Sequence, residues 1–132
     1  MTSVLTRNCA LLASLGAVLL ATGCASAQRP EVERVATTFE DASGDAQERC
    51  DLLMPKTLEQ LEEQVGKPCT EGIGDVPVEG GRVESVEVWG GDAQVRLSGD
   101  TVFLTETPTG WRVAAAGCTP QAEGPYDCEV ES

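Results

Sequence analysis

The sequence predicts an α+β domain, helices first and an antiparallel meander afterwards. Three observations carry this prediction. Val32, Val35, Ala36 and Phe39 recur at i, i+3, i+4 and i+7, the spacing of one apolar face on a helix. Beyond Gly81 the pattern changes to short β-branched and apolar runs, cut by Gly90-Gly91-Asp92, Gly99-Asp100 and Pro108-Thr109-Gly110. Helices followed by strands, rather than alternating with them, is an α+β order. Finally, Cys50, Cys69, Cys118 and Cys128 form an even set in a small chain, which reads as a disulfide framework.

The chain opens on a leader. Arg7 and the amino terminus supply a positive end, and Cys9 to Leu20 is uncharged and mostly apolar. The apolar run is short for a permanent span, which needs about 20 apolar residues. Ala21, Thr22 and Gly23 are small and precede Cys24. The segment resembles the lipobox of bacterial lipoproteins, with Ala21 where Leu is commonest. The resemblance implies removal of residues 1–23 and a thioether from Cys24 Sγ to diacylglycerol, with further acylation such as palmitate. The protein would then sit at the extracytoplasmic face of the cell membrane, held by its lipid. Two other readings of the segment remain: an ordinary secretory signal cut after an Ala-x-Ala-like site at Ala25-Ser26-Ala27, and an uncleaved anchor.

Residues 24–30 read as a tether and 31–132 as one domain with a core of modest size. The helix on Val32 to Phe39 is interrupted by Ser43-Gly44-Asp45. Asp45, with Glu48 three residues on, opens a second short helix in the manner of a capping box, bringing Cys50, Leu53 and Met54 to the core. Pro55 is expected to end that helix, and Thr57 to cap a third whose inner face is Leu58, Leu61 and Val65. Gly66 and Pro68 supply its stop. Thr70 to Gly81, rich in Gly, Pro and acid, reads as a loop.

Five strands follow. Arg82 to Trp89 places Val83, Val86 and Val88 out of simple alternation, which predicts a bulge near Ser85. Ala93 to Ser98 alternates around Val95 and Leu97, and Thr101 to Thr107 is β-branched and apolar. Trp111 to Cys118 returns with Trp111, Val113 and Ala115 on one face, and Tyr126 to Val130 forms a short last strand. Four cysteines allow three connectivities. Proximity favours Cys50–Cys69 and Cys118–Cys128.

Element order and the Gly110-Trp111-Arg112-Val113 turn resemble the NTF2-like (SnoaL-like) cone fold, and in particular small actinobacterial lipoproteins of that type. The likeness implies N-terminal helices packed on a curved antiparallel sheet over about Glu31 to Cys128. It brings no set of functional residues, because the fold hosts enzymes, binding modules and scaffolds.

Composition excludes several activities. The net charge is −13; without the leader, eight basic residues face 22 acidic ones, or −14. Such a chain does not neutralise phosphates, so nucleic acid is not a partner. With no His there is no Ser-His-Asp or Cys-His arrangement. No Cys-x-x-C pair occurs, and the cysteine spacing matches no zinc pattern. Asp41, Asp45, Glu48 and Asp51 lack calcium-loop spacing and read as solvated helix faces. Asp92 and Asp100 sit in turns, where their side chains satisfy local backbone. Trp89 and Trp111 have two readings: core packing at the ends of adjacent strands, or the aromatic wall of a small pocket. No cofactor or metal site is expected. The function expected is a non-enzymatic, membrane-tethered binding or accessory module, with an envelope protein as its potential partner. The alternative is a small apolar ligand carrier, or a cone-cavity enzyme of the isomerase or dehydratase type.

Overall fold

The computed structural model of the chain describes residues 23–132. The leader expected over residues 1–23 lies outside the described residues except for Gly23. Helix α1 (Gly23–Glu40) is followed by α2 (Ala46–Asp51), α3 (Pro55–Val65), the short α4 (Cys69–Gly72) and a 3-10 turn at Ile73–Asp75. Five strands complete the fold: β1 (Val83–Trp89), β2 (Asp92–Leu97), β3 (Thr101–Thr107), β4 (Gly110–Thr119) and β5 (Asp127–Val130). They form one antiparallel sheet in the order β1-β2-β3-β4-β5, a meander. The architecture is therefore α+β, as the spacing predicts.

The α1 stripe packs on one face of the sheet. Val32, Val35, Ala36 and Phe39 are wholly buried against Val95, Val102, Leu104 and Val113. The helix begins earlier than expected: the segment read as a tether, residues 24–30, is its first two turns. Pro30 lies inside it. Pro lacks one backbone donor, which is cheapest near a helix start.

The second helix starts as its residues dictate. Asp45 Oδ1 accepts from the Glu48 amide at 2.9 Å, satisfying one orphan donor of the first turn. Pro55 does not end this helix; it opens the next. Proline at the first helical position loses nothing, because that amide has no intrahelical partner and its φ is already helical. Thr57 accordingly is no cap. It is wholly buried, and its hydroxyl donates to Ala114 O at 3.0 Å, tying α3 to β4. Gly66 closes α3 at φ 70°, a left-handed conformation that favours glycine. The stretch expected to be a loop from Thr70 forms α4 and the 3-10 turn instead, and Ile73 and Val76 are buried there.

The bulge expected near Ser85 is present: register shifts between Val83 and Ser85. A further irregularity lies between β3 and β4, where Phe103 faces Ala115 while Leu104 faces Val113. The extra residue on β4 reverses the inward alternation. Ala116 rather than Ala115 reaches the core, so the expected row of Trp111, Val113 and Ala115 is corrected to Trp111, Val113 and Ala116. The outer edge of β4 is covered twice. Val113 N donates to Leu52 O, and Met54 N to Val113 O, so residues 52–54 pair with it locally. Further on, β5 pairs with Ala116 to Thr119. Few backbone groups on that edge remain open to a second chain.

Both favoured disulfides form, Cys50–Cys69 and Cys118–Cys128. The first joins α2 to the start of α4. The second links residues directly opposite each other on β4 and β5. Closing loops of 19 and 10 residues contributes about 3 kcal/mol each by the chain-entropy argument.

Candidate functional site

The expected site residues fall at different places. Cys24 lies in the first turn of α1. Gln28, one turn on, donates from Nε2 to Glu106 Oε1 at 3.2 Å, next to the β3–β4 turn. The β1–β2 turn reaches the same region, since Glu106 N donates to Gly91 O at 2.8 Å.

The two tryptophans are not brought together. Register runs Trp89–Asp92–Thr105–Arg112 across four strands, so these residues share one face of the sheet. Trp111 is next to Arg112 and therefore points to the other face, into the core. Trp111 is 3% exposed, whereas Trp89 is 49% exposed and is the exposed large hydrophobic side chain among the described residues. Two strands separate them. The expectation that they sit on adjacent strands, packed together or walling one pocket, is corrected: one is core and the other surface.

Under α1 the core is packed with Val32, Val35, Phe39, Leu104, Val113 and Trp111. Of the surface clefts among the described residues, two flank the ends of the domain. The more apolar one, of about 510 Å³, runs between the α2–α3 junction and the β3–β4 turn. Leu53, Pro55, Leu58 and Pro108 line it, with Arg112 at its side. The other, of about 460 Å³, lies at the opposite end of the molecule between the C-terminus of α1 and residues 78–81.

At that second end three buried charged groups meet. Glu40 is 5% exposed and Asp100 7%. Glu40 Oε1 accepts from Gly117 N at 3.2 Å, and Asp100 Oδ2 from Glu79 N at 2.9 Å. The remaining oxygens, Glu40 Oε2 and Asp100 Oδ1, are buried without another partner. Burial, then a side-chain hydrogen bond with Asp100, then the charge of Asp100 push the Glu40 carboxyl up to about 8. A protonated Glu40 donating to Asp100 satisfies both oxygens, as expected for carboxyl groups too close to ionise together. Gly117 supplies its amide from φ 61°, and a Cβ there would meet Glu129 at 2.9 Å, so glycine is required at this bulge. Asp100 is thus more than the turn residue its sequence context suggests.

Arg49 completes the group. It is 2% exposed; its Nε donates to Phe39 O at 2.7 Å, and its guanidinium lies 5.5 Å from the Phe39 ring centroid. It caps one of the open carbonyls at the α1 C-terminus with a cation, which the helix dipole favours. Desolvation pulls its pKa down, opposed by Glu40 and Asp41.

Sequence reasoning missed Glu40 and Arg49. The signal for Glu40 was present: it lies at i+8 from Val32 and i+4 from Ala36, on the same buried stripe. Among the described residues no group of three or more Cys, Asp or Glu is arranged to hold a metal ion. The chain matches no family model, no curated protein and no solved structure.

Proposed function

We propose that this chain is a lipid-anchored extracytoplasmic protein whose NTF2-like domain works as a non-enzymatic binding or accessory module of the cell envelope. The observation that carries the binding reading is the filled interior: the apolar face of α1 occupies the space where a cone-fold enzyme would hold its substrate. Binding then falls to the surface. The two disulfides support an oxidising compartment, and Gly23-Cys24 after the apolar leader supports the anchor. Helices packed on one face of a bulged antiparallel meander support the cone assignment. The alternative, an apolar ligand carrier or an isomerase-type enzyme, would have to use the buried Glu40–Asp100 pair. Their other oxygens are already held by backbone amides, Glu40 by Gly117 N and Asp100 by Glu79 N.

The test is mass spectrometry of the protein from membranes. The intact chain is expected to begin at an acylated Cys24. Cys24→Ala is expected to accumulate as unprocessed precursor or to leave the membrane. Unchanged acylation in the variant overturns the assignment.

A further inference from the structure

The anchor reading implies a bilayer nearby but not which side of the domain meets it. We propose that one end of the domain, built from the start of α1, the β1–β2 and β3–β4 turns and the α2–α3 junction, is its lipid-contacting face, with Trp89 at the bilayer interface. This inference rests on lipidation of Cys24.

Direction along α1 is the first observation. Gln28 bonds to Glu106 beside the β3–β4 turn, and twelve residues later Glu40 meets Gly117 and the β2–β3 turn. Cys24 precedes Gln28 by four residues, about 6 Å along a helix. A diacylglycerol on Cys24 therefore holds this end, and not the Glu40 end, against the membrane.

The second observation is what this end displays. Trp89 is the exposed large hydrophobic side chain among the described residues, and it stands beside the β1–β2 turn. Tryptophan has an apolar body with a polar edge and partitions to the membrane–water interface. The apolar cleft of Leu53, Pro55, Leu58 and Pro108 opens at the same end.

The third is charge. The chain carries −13, and three of the eight basic residues that follow the leader stand at this end: Arg29 on α1, Lys56 at the start of α3, and Arg112. Among the described residues, Arg29, Lys56 and Arg112 make no ion pair, whereas Arg34 pairs with Glu31. Arg112 spends two donors on Trp111 O and Thr109 Oγ1, and keeps others open. Carboxylates stand here too: Asp92, Glu106 and Asp51 accept from Thr105, Gln28 and Gln47, neutral donors that leave their charge in place. At the far end Asp41 and Glu79 line the cleft beside Glu40, with Arg49 buried at the C-terminus of α1. Arg29, Lys56 and Arg112 give anionic headgroups local partners at this end, while the tether sets the orientation.

The experiment uses the full acylated chain in vesicles of phosphatidylcholine and phosphatidylglycerol, one set brominated on the acyl chains. Flotation and the mass of the Cys24 peptide are read first. Brominated lipid is expected to quench part of the tryptophan emission, and Trp89→Phe to abolish that quenching, since Trp111 is in the core. Flotation without Trp89-dependent quenching overturns the proposed face while leaving the anchor intact. Failure to float, with unmodified Cys24, overturns the anchor reading and this face with it. Trp89 shielded from iodide in native envelope membranes but open to it in pure lipid vesicles means that protein covers the face, which also overturns the proposal.

Discussion

Replacing Glu40 with Gln is expected to remove most of the pH dependence of stability between about pH 5 and 8. The reasoning begins with the Glu40–Asp100 contact. In the folded chain Glu40 keeps its proton up to about 8, against an ordinary value of 4.5. Between those values the folded state holds a proton that the unfolded state has lost. Unfolding then releases a proton, and stability falls as pH rises through this window. The benefit of the protonated contact is full below about pH 4.5 and gone once pH exceeds about 8. At 1.36 kcal/mol per unit, the swing amounts to about 3–5 kcal/mol, a large share of the stability of a domain this size. Little else titrates there, because the chain has no histidine. Glu31 and Asp41 are lowered, by hydrogen bonds from Arg34 and from Ser43 respectively, and act at more acidic pH. Gln keeps the geometry: its amide nitrogen donates to Asp100 and its oxygen accepts from Gly117. Urea denaturation followed by circular dichroism from pH 5 to pH 9 is the assay. Wild type should lose stability steadily, while Glu40→Gln stays level, near wild type at pH 5 and more stable at pH 8.5. Parallel curves for the two proteins would mean that the carboxyls do not share a proton, and the argument would be refuted.

The remaining expectations concern the staple and the core. Cys50→Ser opens the Cys50–Cys69 loop and should cost about 3 kcal/mol, which lowers the melting temperature by roughly 10–20 °C; an unchanged midpoint by differential scanning calorimetry rejects the staple. Trp111→Ala empties a core position and should cost about 3–5 kcal/mol. Trp89→Ala, at the surface, should stay within about 0.5 kcal/mol. Chemical denaturation measures both, and equal losses would contradict their placement on opposite faces of the sheet.

Much of the fold is legible because its signals are local. Asp45 and Glu48 announce a helix start within four residues, Gly66 a helix end within one turn, and the Gly-rich dipeptides the hairpins that set strand order. The cysteine pairs are legible by proximity, and Cys118 and Cys128 prove to be register partners on neighbouring strands. Pro55 shows where local reading is ambiguous. A proline both ends one helix and suits the first position of the next, and only the pairing of residues 52–54 with Val113 selects the second role. Thr57 is ambiguous for the same reason: its hydroxyl suits a cap or a buried bond to another element, and Ala114 O lies fifty-seven residues away.

What the sequence by itself determined is the class of fold, the strand order and the disulfide set. Each depends on residues within a few positions of one another, or on counts. Only the tertiary structure decided that Glu40 and Asp100 share a buried contact, that Arg49 closes α1, and that Trp89 and Trp111 lie on opposite faces. Those outcomes hang on where a bulge shifts β4 and on which end of α1 meets which turn. Such relations arise from packing and register between distant segments, and no short stretch of sequence encodes them.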